Sequence, residues 1–149
     1  MATLYDDIID LALISIRDYK LDKLYNIDED SFRTVMIGFL TRAIPNFDNC
    51  KVNLTNQNEE GFVEDLNIYE QDILADWTVI KWLDKEINDV RQITGMMQNK
   101  NEAHRYSEAN LMKEKVNMRE VKREEVDRKQ TLYGLRNTDW KAWGSGREL

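Results

Sequence analysis

Few residues of this sequence combine the type and spacing that an active site needs. The single histidine, His104, lies in the stretch NEAHRYSE with neither a second histidine at ligand spacing nor a cysteine partner. The single cysteine, Cys50, has no partner motif either, and it is interpreted as a small packing residue. Because protein zinc sites draw several such ligands together, the sequence predicts no metal centre and no bound cofactor.

The carboxylates occur in pairs, but simpler roles account for them. Asp6, Asp7 and Asp10 fall in the opening turns of a predicted helix, where the helix dipole favours negative charge. Glu124 and Glu125 belong to a charged helical face and are interpreted as solvated. The six glycines form no phosphate-binding loop, and the chain has no GxSxG, HExxH or CxxC motif. We therefore expect a protein that is not an enzyme.

The stretch YGLRNTDWKAWGSGREL stands out, because it puts two tryptophans in a segment that would ordinarily fray. Trp140 and Trp143 are three residues apart, so one helical turn sets both indoles on one side. Tryptophan is enriched among interface hot spots. We expect this tail to dock on another chain; the alternative is that it folds back onto its own core.

The elements that must position these residues are helices, as the apolar spacings of three and four indicate. Thr3 is expected to cap the first, and Asp28 or Asp30 the second, which must stop close to Pro45. The stretch LDKLYNI, residues 21–27, is predicted to connect them. The core helices are expected near residues 4–20, 30–44 and 67–94.

The third helix is predicted to be the spine of the core. Asn67 and Glu70 form a capping-box pattern at its start, and a broad apolar stripe follows. Trp77 and Trp82 are five residues apart and should point to different sides, so that one faces a neighbouring element or subunit. Before this helix, residues 46–66 predict an ordered loop or a small β-hairpin that pairs Lys51 to Thr55 with Gly61 to Leu66.

Residues 102–132 predict a long helix that is polar almost all round, with neither glycine nor proline. Its sparse apolar positions are too few for burial in a monomer core. At about 45 Å the helix would be longer than a compact domain of this size, so we expect it to project. Its apolar side chains are candidates for subunit contacts, namely Leu111, Met118 and Val121. The expected organisation is a helical core at 1–100, a long polar helix at 101–132 and a docking tail at 133–149.

The charge is divided unevenly along the chain. Residues 1–76 hold 16 acids and 6 bases, whereas residues 77–149 hold 12 acids and 15 bases. An acidic front and a mildly basic back can meet head to tail between copies of one chain, although two solvated faces would look the same. The apolar runs LALISI and VMIGFL are far shorter than the roughly 18 residues that cross a bilayer, so no membrane span is expected.

Four stretches in this order, YDDIIDLALISIRDYKLDKLY, FLTRAIPNFDNC, DILADWTVIKWLDKEINDVRQI and YSEANLMKEK, resemble the head-to-tail connector, or adaptor, proteins of tailed phages of Firmicutes. The similarity covers nearly the whole chain. It implies a helical bundle that assembles as a ring under the portal and docks there through a C-terminal extension. The docking residues that it implies are Tyr133, Leu135, Trp140 and Trp143.

The sequence thus leads to an expected all-α bundle with a structural role in the virion neck, assembled in the host cytoplasm. The expected partners are further copies of the chain, the portal protein, a tail-side neck or tail-completion protein, and DNA passing through the ring. Three alternatives stay open: a nucleic-acid-associated helical protein that uses the basic back half, another neck or tail-completion protein, and a small enzyme with a carboxylate site.

Overall fold

The computed structural model describes residues 2–16, 19–96 and 102–138 of the chain. Over these ranges the protein is mostly helical, which confirms the predicted all-α bundle, and the other helices pack around α4 or against its neighbours. The helices are α1 (Tyr5–Ser15), α2 (Tyr19–Ile27), α3 (Glu29–Ala43), α4 (Ile68–Met96) and α5 (Glu102–Arg136). The strands are β1 (Thr3–Leu4) and β2 (Gly61–Phe62), which pair antiparallel.

The N-terminal region differs from the prediction on both sides of α1. Thr3 does not cap this helix: it lies in β1, where its hydroxyl accepts a hydrogen bond from the Leu66 N–H at 2.8 Å. Residues 21–27, predicted as a connection, are helical within α2. Leu21 is buried and Leu24 packs against the core, so the three-residue spacing of these leucines forms one helical face.

The capping signals placed the starts of α3 and α4 and the end of α3 correctly. Asp28, one of the two predicted caps of α3, accepts a hydrogen bond from the Ser31 N–H at 3.2 Å. Pro45 lies in a 3₁₀ turn that directly follows α3. At the start of α4 the Asn67 side chain accepts from the Glu70 N–H and the Glu70 carboxylate from the Asn67 N–H, both at 2.9 Å. This reciprocal pair confirms the predicted capping box.

The loop before α4 forms a small sheet with partners other than those predicted. The segment Lys51 to Thr55 is not a strand, and β2 pairs with β1 while Phe62 also bridges Gln57. Phe62 is fully buried. The backbones of β1 and β2 come close together at the neighbouring Gly61. A Cβ atom added to Gly61 would lie 2.1 Å from the carbonyl oxygen of Thr3. Glycine is therefore required for β1 to approach at this position.

α4 is the spine of the core, as predicted, and both of its tryptophans are buried. The Trp77 indole N–H donates to the Gln130 side chain of α5 at 2.9 Å. The Lys115 ammonium of α5 lies 6.0 Å from the centroid of a Trp82 ring. Both indoles thus contact α5, whereas the sequence predicted that they would point to different sides and that one of them would face a neighbour.

The long helix forms where it was expected, but the expectation that it projects is wrong. Over its described side chains, α5 runs antiparallel along α4, from Lys115 beside Glu86 to Tyr133 beside Glu70. Val126 is fully buried and belongs, with Tyr133, to the same hydrophobic cluster as α1, α3 and α4. A few large apolar contacts and a row of ion pairs hold α5 against the core. The composition of this helix is so polar that the sequence did not predict the packing.

Candidate functional site

Three side chains that could do chemistry meet between the start of α4, the end of α5 and the loop after α3. The buried Glu70 carboxylate accepts a hydrogen bond from the Tyr133 hydroxyl at 2.7 Å. The Cys50 thiol donates to the same oxygen at 3.5 Å, and the Asn67 N–H donates to the other oxygen at 2.9 Å. The Tyr133 hydroxyl also accepts from the Lys51 N–H at 3.0 Å. We call this group the Glu70 cluster.

The electrostatics of the Glu70 cluster suit a structural clamp and not a nucleophile. Burial raises the pKa of the Cys50 thiol to about 11, and the nearby Glu70 carboxylate acts in the same direction. Burial also raises the pKa of Tyr133 above its ordinary value, and its hydrogen bond to Glu70 adds to the rise. Both groups therefore stay protonated at neutral pH and serve as hydrogen-bond donors. Cys50 packs against the core, as its interpretation as a packing residue predicted.

Alkylation of Cys50 is expected to be half-maximal near pH 11 instead of near pH 9. The thiolate is the reactive form, so two pKa units leave about 100-fold less of it at pH 8 than an ordinary cysteine has. The pH dependence of the rate with iodoacetamide measures this directly, since the chain has one cysteine. The same rate in urea, where the Glu70 cluster is dispersed, is the control. If the native protein were alkylated as fast as the unfolded chain, the raised pKa of the Cys50 thiol would be contradicted.

A row of ion pairs joins α5 to α4, and we call it the α4–α5 seam. Asp76 is buried, and its two oxygens lie 2.9 Å from Lys122 Nζ and 2.7 Å from Lys129 Nζ. Burial alone lowers the pKa of Lys129, but hydrogen bonds to Asp72 and Asp76 outweigh it, so the net pKa is raised. The further pairs of the seam are Lys115 with Glu86 at 2.6 Å and Arg119 with Asp84 at 3.0 Å.

One flank of α5 exposes large apolar side chains, which include all three candidates for subunit contacts. Each of them is between 41% and 56% exposed. Successive spacings of 7, 3, 11 and 3 residues keep them on one flank of the helix, over about 36 Å. We call this set the α5 stripe: Leu111, Met118, Val121, Leu132 and Leu135. The stripe borders the α4–α5 seam, because Met118 and Leu132 lie within one helical turn of Lys122 and Lys129 on the same side of α5.

The four candidate docking residues have different outcomes in the structure. Tyr133 is wrong as a docking residue, because its side chain is buried, bonds to Glu70 and packs edge-on against Phe47 at 5.1 Å. Leu135 is 46% exposed and stays a candidate. Trp140 and Trp143 lie outside the described residues. The sequence holds one signal for the burial of Tyr133. It is seven residues, or about two helical turns, after Val126, which is buried, so both side chains lie on the same face of α5.

The surface at this end of the α4–α5 pair has a small pocket, in which Asp72, Lys129 and Arg136 accompany the apolar and aromatic side chains. Its volume is about 240 Å³, and it is lined by Tyr69 and Leu132 among others. The Arg136 guanidinium lies 4.3 Å from the centroid of the Tyr69 ring, in cation–π contact. Tyr69 and Leu132 are each about half exposed. This pocket lies at the last turns of α5, just before the two tryptophans in the sequence.

The described part of the chain contains neither a metal-binding cluster nor a membrane-spanning helix. No group of three or more histidine, cysteine, aspartate or glutamate residues there could hold a metal ion. None of the helices described is long and apolar enough to cross a membrane. Comparison of the chain with protein-family models, curated proteins and solved structures gives no match.

Proposed function

We propose that this protein is a structural subunit of a tailed-phage neck, a head-to-tail connector that assembles as a homo-oligomeric ring and docks on the portal. The observation that carries this proposal is the α5 stripe. A row of half-exposed leucine, methionine and valine side chains along one helix flank is a surface that burial against another chain stabilises. The resemblance of the sequence to connector proteins supplies the kind of assembly.

The α4–α5 seam explains how such a stripe can serve a rigid assembly. The ion pairs and the buried Val126 fix α5 along the spine of the core. The neighbouring flank, which carries the α5 stripe, is therefore held in one orientation before any partner arrives, which lowers the ordering cost of association. In the proposed ring, Leu111, Met118 and Val121 contact the adjacent subunit.

The portal contact is proposed for the other end of the α5 stripe. Leu132 lines the pocket together with Tyr69, Leu135 is exposed three residues further along α5, and the sequence then continues into the tail. Aromatic side chains give a large contact area for little lost side-chain entropy. We assign Trp140 and Trp143 as the anchors, with Leu135 at the edge of the contact. The role is one of assembly without catalysis.

The nucleic-acid alternative has less support from the positions of the basic residues. Four bases of α5 point at acids of α4 and are used in the seam, namely Lys115, Arg119, Lys122 and Lys129. Phosphate binding needs clustered cations that are free to replace counterions. The assembly role is therefore preferred to binding through this helix.

Removing residues 139–149 is expected to abolish binding to the portal protein of the same phage while the remaining domain stays folded. The truncation begins after Thr138 and not at Tyr133, because Tyr133 belongs to the Glu70 cluster. The pair Trp140→Ala with Trp143→Ala should weaken portal binding by about 30-fold or more, as hot-spot residues do. Ile14→Ala, which removes an exposed apolar side chain on α1, is the matched control.

Binding of the purified portal is measured by sedimentation, and folding by circular dichroism. Portal binding that survives loss of residues 139–149 would refute the anchor assignment. Binding that is lost along with the helical signal would instead place the tail inside the fold.

A further inference from the structure

A wide groove lies between α3, α4 and α5, and its lining holds no residue of the α5 stripe. Its volume is about 1000 Å³, and apolar side chains of α3 form part of its lining, Val35 and Phe39 among them. Gly38 lies between these two, and a Cβ atom built there would meet nothing within 4 Å. The middle of α3 thus borders open space wide enough for a segment of another chain.

The polar lining of the groove is mainly cationic. Arg42 and Lys81 line it, and within the described part of the chain neither has an acidic partner. Arg119 also lines it and pairs with Asp84, the one carboxylate of the lining, and the Arg119 Nε lies 3.7 Å from Glu120 Oε1. Lys85 completes the basic lining and pairs with Asp89. The groove therefore combines an apolar wall with positive charge that the chain does not neutralise.

A segment with the opposite charge and the same apolar character lies at the junction of α2 and α3. Residues 25–30, of sequence YNIDED, are exposed at every position. Tyr25 is 49% exposed and Ile27 is 73% exposed, which are high values for residues of this size. Three consecutive acids, Asp28 to Asp30, follow them. We call this segment the acidic corner.

We propose that the acidic corner of one copy of this protein occupies the groove of the next copy. Tyr25 and Ile27 lie against the apolar wall of Val35 and Phe39. Glu29 and Asp30 face Arg42 and Lys81, while Asp28 stays bonded to Ser31 as the cap of α3. The proposal deepens the proposed function, on which it rests, because it names the charged contact between adjacent subunits. It also gives a structural origin to the uneven charge of the sequence.

The positions of the two surfaces determine the kind of assembly. Asp30 of the acidic corner and Arg42 of the groove are twelve residues apart in the same helix, or about 18 Å along its axis. A chain therefore cannot place its own corner in its own groove. Two different patches that fit each other make a heterologous contact, which closes into a ring when the rotation allows it.

A phosphate backbone would be the other anionic occupant of a basic groove. It has no apolar surface to cover Val35 and Phe39. The acidic corner has both the charge and the apolar side chains. The groove lining therefore favours a second copy of the chain over nucleic acid.

The test is the mass of the purified full chain by light scattering, without portal, across protein concentration and salt. The groove variant Arg42→Glu with Lys81→Glu and the corner variant Glu29→Lys with Asp30→Lys should each weaken self-association by about tenfold or more. The two combined should restore it. Wild-type association should weaken between about 0.05 and 0.5 M salt, because screening acts on exposed charge. The control is Lys51→Glu with Arg123→Glu, an equal charge change at exposed positions that belong neither to the groove lining nor to the α5 stripe.

A steric variant makes the test independent of charge and of folding. Gly38→Gln puts a polar side chain into the groove, and glutamine favours a helix over glycine, so the fold should keep or gain stability. It should weaken self-association by about tenfold as well.

Three outcomes would overturn the proposal: a monomer at all concentrations, wild-type association in both the groove and Gly38 variants, or binding of a DNA duplex that the groove variant alone loses. Portal binding is measured separately, so the proposed function can stand when this contact fails. Self-association that follows the charge swap while portal binding is absent would support the contact and refute the portal assignment.

Discussion

Replacing Glu70 with alanine is expected to lower the free energy of unfolding by about 2 to 4 kcal/mol, a large share of the stability of a domain of this size. The carboxylate receives hydrogen bonds from three segments that are far apart in sequence, and it is 3% exposed. Its loss leaves the Asn67 N–H without its capping partner and the Tyr133 hydroxyl without its acceptor. Buried polar groups without partners cost more than the lost bond alone.

Two variants separate the parts of the Glu70 effect. Tyr133→Phe removes one hydroxyl and should cost about 1 to 2 kcal/mol. Because this residue and Glu70 share a hydrogen bond, the double variant should cost less than the two single changes added together. Urea titrations of the four proteins, followed by circular dichroism, measure this coupling. Fully additive costs would mean that the hydrogen bond contributes nothing to the stability of the Glu70 cluster.

Replacing Asp76 with alanine should lower the free energy of unfolding by a similar amount, about 2 to 4 kcal/mol. Its side chain is 6% exposed, and it neutralises Lys122 and Lys129, which are 16% and 30% exposed. Removing one partner of a buried pair leaves charge in a poorly solvated place, which costs about 3 to 5 kcal/mol in closed sites. Glu125 and Asp72 stay near the two lysines, so the expected cost lies below the top of that range.

Asp89→Ala is the matched control for the α4–α5 seam. It breaks the Lys85 to Asp89 pair, whose side chains are 55% and 33% exposed and lie on one helix. Pairs of this kind contribute about 0.3 to 0.5 kcal/mol. Thermal unfolding should therefore distinguish the two variants clearly. Equal destabilisation by both would mean that the seam does not hold α5 in place, and α5 could then leave the core as its composition suggested.

The seam also changes the interpretation of the charge asymmetry. The sequence showed an acidic front and a basic back, which suggested contact between copies. In the structure, Asp72 and Asp76 of the acidic half bind Lys129 of the basic half within one chain. Part of the asymmetry is therefore neutralised inside the fold. The acidic corner and the groove lined by Arg42 and Lys81 keep charge of opposite sign at separate places, and these are available to a partner.

Local signals in the sequence were sufficient for much of the fold. The capping box at Asn67 and Glu70, the cap at Asp28 and the stop at Pro45 all formed as predicted, because each depends on residues within one turn of a helix. The exposure of Leu111, Met118 and Val121 agrees with their low density along α5. Their role in subunit contacts remains a prediction.

Only the tertiary structure showed the positions of Thr3, Tyr133 and α5, because the residues that they contact are distant in sequence. Thr3 binds Leu66 instead of capping α1, and Tyr133 lies beside Glu70, 63 residues away, instead of docking outward. The sequence by itself determined where α3 and α4 begin and where α3 ends, since those hydrogen bonds are local. It could not show that a helix rich in charge lies along α4, because the free energy of each lysine there depends on the carboxylate that the fold brings beside it.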